Sequence, residues 1–142
     1  MIIAIDFDGT CVTHEYPEMG KDIGAVPVLK ELIKKGHQLI LFTMRSNIDF
    51  LPGDIYDKDI DPEPGHYLNE AINWFRENDI PLYGVNTNPT QQGWTHSPKA
   101  YANLYIDDAA LGCPLKMDEQ ISERSFVDWK QVRKILKERW LI

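Results

Sequence analysis

Cysteine is scarce in this 142-residue chain: Cys11 and Cys113 are its only two. Their number and spacing match neither a disulfide framework nor a zinc-ligand pattern, so both are read as free thiols. Long hydrophobic runs are missing as well. The longest uncharged apolar stretch is Gln38 to Met44, far short of the ~20 residues that cross a bilayer, which excludes a membrane-spanning chain. The N-terminus reads Met1-Ile2-Ile3-Ala4-Ile5 and meets Asp6; it has neither the basic start nor the apolar length of a secretory signal, and the expected location is cytoplasmic. Basic charge is also short. Fifteen Lys and Arg against 22 Asp and Glu give a formal net charge of −7, without the basic footprint that a phosphate backbone demands, so no nucleic-acid partner is expected. There is no internal repeat and no low-complexity segment.

What is present suits one soluble globular domain spanning residues 1–142, with 43% hydrophobic residues to build a core. The acidity is uneven. Asn47 to His66 holds Asp49, Asp54, Asp57, Asp59, Asp61 and Glu63 against Lys58, which is −5 of the total −7. Arg124 to Arg139 is base-rich, but at helical spacing it reads as a solvated helix face.

Ile2 to Ile5, Gln38 to Thr43, Leu82 to Asn86 and Asn103 to Ile106 are short apolar runs of the kind buried in a parallel sheet. Cys113 to Lys116 is a candidate fifth strand. Gly24 to Lys35, Gly65 to Asn78 and Ser125 to Trp140 carry apolar residues at helical spacing, the last with Phe126, Trp129, Val132, Leu136 and Trp140 along one stripe. Strands alternating with helices imply βαβ crossovers and a sheet sandwiched between helices, an α/β fold whose ligands sit at the carboxyl ends of the strands. Three irregular stretches overhang that edge: Cys11 to Ile23, the acidic segment from Asn47, and Thr87 to His96.

The chemistry-bearing residues gather at the same edge. Asp6-Phe7-Asp8-Gly9-Thr10 ends the first strand, and the two-residue period puts both carboxylates on one side and Phe7 toward the core. Two ionised acids facing one space need a cation, and an oxygen donor set of this kind suits Mg²⁺. Thr43 ends the second strand, with a hydroxyl and a backbone N–H able to donate to a phosphoryl oxygen. Asp107 and Asp108 end the fourth. Ser97-Pro98 reads as the N-cap and first position of a short helix that aims Lys99 toward the acids. Arg45 is either a substrate-anion contact or a surface arginine, and Asn86 and Asn88 either bind substrate or form a turn before Pro89. His14, His66 and His96 have no ligand spacing and read as solvated loop histidines; Trp94 is an exposed platform or a loop anchor. The terminal Trp140-Leu141-Ile142 is a core plug or an interface patch, which leaves a homo-oligomer open.

Taken in order, DFDGT at Asp6 to Thr10, the apolar strand ending at Thr43, Lys99, and YIDD at Tyr105 to Asp108 resemble the haloacid dehalogenase superfamily, in its aspartate-nucleophile phosphatase branch. The resemblance implies a three-layer α/β/α, doubly wound, Rossmann-like core of the small kind without a separate cap domain. It implies a Mg²⁺-dependent phosphatase in which Asp6 is the nucleophile that becomes an aspartyl-phosphate and Asp8 the general acid and base. Thr43 and Lys99 would hold the phosphoryl group, Gly9, Thr10, Arg45 and Asn86 would complete the substrate contacts, and the metal would be held by Asp6, by Asp8 through its backbone carbonyl, and by Asp107 and Asp108 directly or through water. Four aspartates offset by Mg²⁺ and Lys99 leave about one negative charge before a phosphate dianion enters, so the metal is essential. The phosphorylated substrate is not identified. A receiver domain fits the motif order poorly, because it would need its phosphorylated Asp after the third strand, where this chain has Val85-Asn86-Thr87. A non-catalytic module of the same superfamily, binding Mg²⁺ and a phosphorylated ligand, remains as the second reading.

Overall fold

The computed structural model describes residues 1–47 and 65–142. The acidic segment falls mostly outside the described residues, although its flanks are fixed: Asn47 bridges His66, and the Asn47 side chain bonds Asn69 twice.

Four strands, β1 (Ile2–Ile5), β2 (Gln38–Leu41), β3 (Leu82–Val85) and β4 (Leu104–Ile106), form one parallel sheet in the order β3-β2-β1-β4. Helix α1 (Ala25–Lys34) connects β1 to β2, and α2 (Tyr67–Glu77) leads from the described flank of the acidic segment into β3. The chain builds outward from β1 to β3 and then returns to the other side of β1 as β4. That reversal makes the carboxyl ends of β1 and β4 the topological switch point, where parallel sheets bind ligands. The α/β class read from the alternating pattern is therefore the observed one.

Local sequence explains most boundaries. Ala25, Val28, Leu29 and Leu32 are the buried face of α1, and Pro27 sits in the first turn, where its missing N–H is no loss. The helix stops at Gly36, whose φ of 83° lets the His37 N–H reach back to the Leu32 carbonyl. Phe7, Trp74 and Phe75 meet edge-on or tilted beneath the site, joining β1's end to α2.

Two expectations are corrected. Cys113 to Lys116 contributes no fifth strand to the main sheet; β5 (Leu115–Lys116) pairs antiparallel with β6 (Phe126–Val127) as a separate ribbon. The last helix, α3 (Trp129–Glu138), is shorter than Ser125 to Trp140 because Phe126 and Val127 are buried as strand and Asp128 caps the helix, accepting from the Lys130 and Gln131 N–H groups. Trp140 does not continue the apolar stripe. It has φ 58° and is 92% exposed, while Leu141 and Ile142 pack on the core. Among the described residues no helix is long and apolar enough to cross a membrane.

Candidate functional site

β1 delivers Asp6 directly to the switch point: its N–H donates to the Ile106 carbonyl of β4 at 3.0 Å. The chain then turns tightly, with the Phe7 carbonyl accepting from Thr10, Cys11 and Val12. Gly9 adopts φ +80°, and a Cβ there would lie 2.4 Å from Asp108 Oδ2. Only glycine combines that backbone with so close an approach. Thr10 is wholly buried, its hydroxyl donating to Asp6 Oδ2 at 2.9 Å and accepting from the Asp108 N–H at 3.0 Å. One side chain thus ties the acid after β1 to the acid after β4, and Trp129 of α3 holds it by donating to the Thr10 carbonyl at 2.7 Å.

As a result Asp6, Asp107 and Asp108 each place a carboxylate oxygen within 4.8 Å of the others. Burial pushes the Asp6 carboxyl from its ordinary 3.8 up to about 7, with Asp107 and Asp108 adding to the rise and the Phe7 N–H and Thr10 bonds opposing it. Burial first, then Asp107, raises Asp108 as well. Three half-buried acids that strain against their own charge suit a hard divalent cation with oxygen ligands, and Mg²⁺ fits such a set. Each acid lines a cavity of about 460 Å³ together with Asp8, His14, Tyr16, Thr43 and Arg45.

The geometry gives the remaining expected site residues definite partners. The Asp8 carboxylate lines the cavity but stands outside the three-acid group, and the metal contact expected of Asp8 is its backbone carbonyl. Its two oxygens accept from Arg45 Nε at 2.7 Å and Nη2 at 2.8 Å. Arg45 is neither a surface residue nor a free anion contact: it is 2% exposed, bonds the Glu18 carbonyl at 2.8 Å, and lies over the Phe7 and Tyr16 rings. Burial opposes the guanidinium's charge, but the bonds to Asp8 and its charge outweigh that and raise the pKa of Arg45.

Thr43 lines the cavity, yet its N–H is not free for a phosphoryl oxygen, because it donates to Asn86 Oδ1 at 2.8 Å. Asn86, at φ 52°, is thereby a positioning residue. The Thr43 hydroxyl accepts from the Arg45 N–H and keeps its own proton to give. Gly9 and Thr10 are likewise buried supports, with the Gly9 N–H donating to the Val12 carbonyl. Lys99 shows the largest departure. No helix forms at Ser97; Lys99 lies over the Tyr105 ring at 5.6 Å and does not line the acid cavity. The cap bond itself exists, from the Lys99 N–H to Ser97 Oγ at 3.2 Å. The buried Gln91 side chain takes the backbone groups that a helix would use, donating to the Ser97 and Lys99 carbonyls and accepting from the Tyr101 N–H.

Sequence reasoning took His14 for a solvated loop histidine, whereas it lines the cavity beside the acids. It named Asp8 and Arg45 but not their pairing, which no local pattern signals because 37 residues separate them. Asn88 is the turn-maker before Pro89, its carboxamide oxygen accepting from the Thr90 N–H and hydroxyl. Trp94 is exposed and packs edge-on against Tyr101.

Fold and site together define a parallel α/β protein with a carboxylate cluster at its switch point. No family model and no curated protein matches the chain. A solved structure described as a conserved protein coded by a locus of Bacteroides thetaiotaomicron is 32% identical, with TM-score 0.69, over 98% of this chain and 91% of that one. The chain belongs to the family of that conserved protein.

Proposed function

We propose that this chain is a Mg²⁺-dependent phosphohydrolase of the haloacid dehalogenase type, with its helices completing a three-layer core. The observation that carries the reading is the convergence of Asp6, Asp107 and Asp108 within 4.8 Å at the ends of adjacent strands β1 and β4. Asp6 and one or both of the β4 acids would hold the cation, which supplies positive charge against the incoming phosphate and polarises its oxygens. A carboxylate oxygen of Asp6 attacks phosphorus, the bond to the leaving oxygen breaks, and an aspartyl-phosphate forms; water then attacks that phosphorus and returns Asp6. The Thr43 hydroxyl donates to a phosphoryl oxygen. Asp8, bridged by Arg45, is an acceptor for the proton of the attacking water, and its service as proton donor to the leaving oxygen requires that bridge to open first. The partner is a phosphorylated substrate.

Turnover of an aryl phosphate in Mg²⁺, its loss in excess chelator, poor support by Ca²⁺ with its looser coordination, and a fall of about a thousandfold or more in Asp6→Asn are the expected results. Full activity in chelator would sink the mechanism. The non-catalytic module is favoured by two observations, Lys99 outside the cavity and Asp8 held by Arg45. Its signature is Mg²⁺-dependent phosphate binding by calorimetry with no turnover of any phosphate ester.

A further inference from the structure

Among the described residues, Arg45 and His14 are the basic side chains that line the acid cavity, and Arg45 is taken by Asp8. His14 comes from the connection between β1 and α1 and lines the cavity together with Asp107 and Asp108. It is also a wall of a second cavity of about 420 Å³, shared with Lys21, Ser122 and Arg124. Arg124 Nη1 lies 3.3 Å from His14 Nδ1. A guanidinium has only donors, so Nδ1 accepts, and the ring offers Nε2–H to anything beside it.

Among the described residues Arg124 makes no ion pair, and His14 is the side chain that its guanidinium bonds. Glu15, Glu119 and Glu123 also line the outer cavity; Glu15 accepts from Ser122 Oγ at 3.2 Å, and the Lys21 ammonium donates to the Ile121 carbonyl at 2.7 Å, which leaves Arg124 and His14 as the donors at the end that adjoins the acid cavity. At the other end, a smaller cavity of about 210 Å³ holds Asp6, Thr43 and Asn86 without His14. The site is therefore a trough. Thr43 and Asn86 stand at one end, Asp6 in the middle, and Asp108, His14 and then Arg124 at the other.

We infer that His14 and Arg124 form a subsite for a second anionic group, carboxylate or phosphate, on the non-reacting part of the substrate. The inference rests on the phosphohydrolase reading and names its substrate class: phosphate esters that carry a further negative charge. Neutral sugar phosphates gain nothing at this end of the trough.

The test uses matched pairs in Mg²⁺: ethyl phosphate against phosphoglycolate, which differ by one carboxylate, and a hexose monophosphate against the corresponding bisphosphate. The second anion is expected to raise kcat/KM by about tenfold or more, chiefly through KM. Arg124→Gln brings the ratio within each pair to about one, and Arg124→Lys keeps much of it. His14→Gln, which retains a donor, loses less of the ratio than His14→Leu. Because the ratio is read within one variant, a general loss of activity cancels. Equal kcat/KM within both pairs, or a preference that survives both Arg124→Gln and His14→Leu, overturns the subsite while leaving the hydrolase standing. No turnover of any member overturns the hydrolase and the subsite with it.

Discussion

A guanidinium and a carboxylate that share two hydrogen bonds below the surface contribute modestly as a pair, but either one left alone is a buried uncompensated charge. Arg45→Met should therefore destabilise the fold by about 3–5 kcal/mol, and adding Asp8→Asn should recover part of that loss. Denaturant midpoints for the two singles and the double close this cycle; additive losses would mean that the pair is not a unit. Asp6 carries the second prediction. Its folded-state pKa lies above its free value of 3.8, near 7, so the metal-free fold binds the proton more tightly than the unfolded chain does. Stability is then fully present below about pH 4 and falls as pH rises toward 7, by an amount on the order of a few kcal/mol, with Asp108 acting in the same direction. Thermal melts in chelator across that range should slope downward, and Asp6→Asn should flatten the slope and stabilise the protein at pH 8.

Between β3 and β4 the sequence offers a plausible short helix, and a single buried carboxamide removes it. Gln91 binds the carbonyls of Ser97 and Lys99 and the N–H of Tyr101, so the segment follows the Gln91 side chain instead of closing its own helical bonds. Gln91→Leu leaves these backbone groups without partners and should cost about 1–3 kcal/mol. It should also raise amide exchange at Tyr101 first. Unchanged exchange there would show that the bonds do not shape the segment. The last helix makes a related point. Periodicity alone ran it back to Ser125, but the Asp128 cap divides a buried strand, Phe126–Val127, from α3, and the apolar residues on the two sides serve different packings.

Across the whole molecule, three acids repel one another at a point fixed by two strands, a threonine and a tryptophan, so a bound cation should act on global stability. Saturating Mg²⁺ should raise Tm, corresponding to about 2.7 kcal/mol at a hundredfold excess over Kd. Asp107→Asn combined with Asp108→Asn should abolish the shift without lowering the metal-free Tm. Much of this was legible beforehand. Apolar runs that end in acids identify strands and their carboxyl ends, since buried parallel strands are continuous in sequence and their termini are where polar residues become affordable; hence Asp6, Asp107 and Asp108 could be assembled from motif order. The tasks of Arg45, Lys99, Asn86 and His14 were settled by tertiary structure alone. Arg45, Asn86 and His14 depend on partners far away in the chain, Asp8, Thr43 and Arg124 respectively, and Lys99 turns to the nearby Tyr105 ring; a long polar side chain reaches whichever partner the folded backbone brings near it. Local sequence determines where chain segments begin and end, whereas the direction of a flexible charged side chain is an equilibrium among contacts that exist only once the sheet has closed.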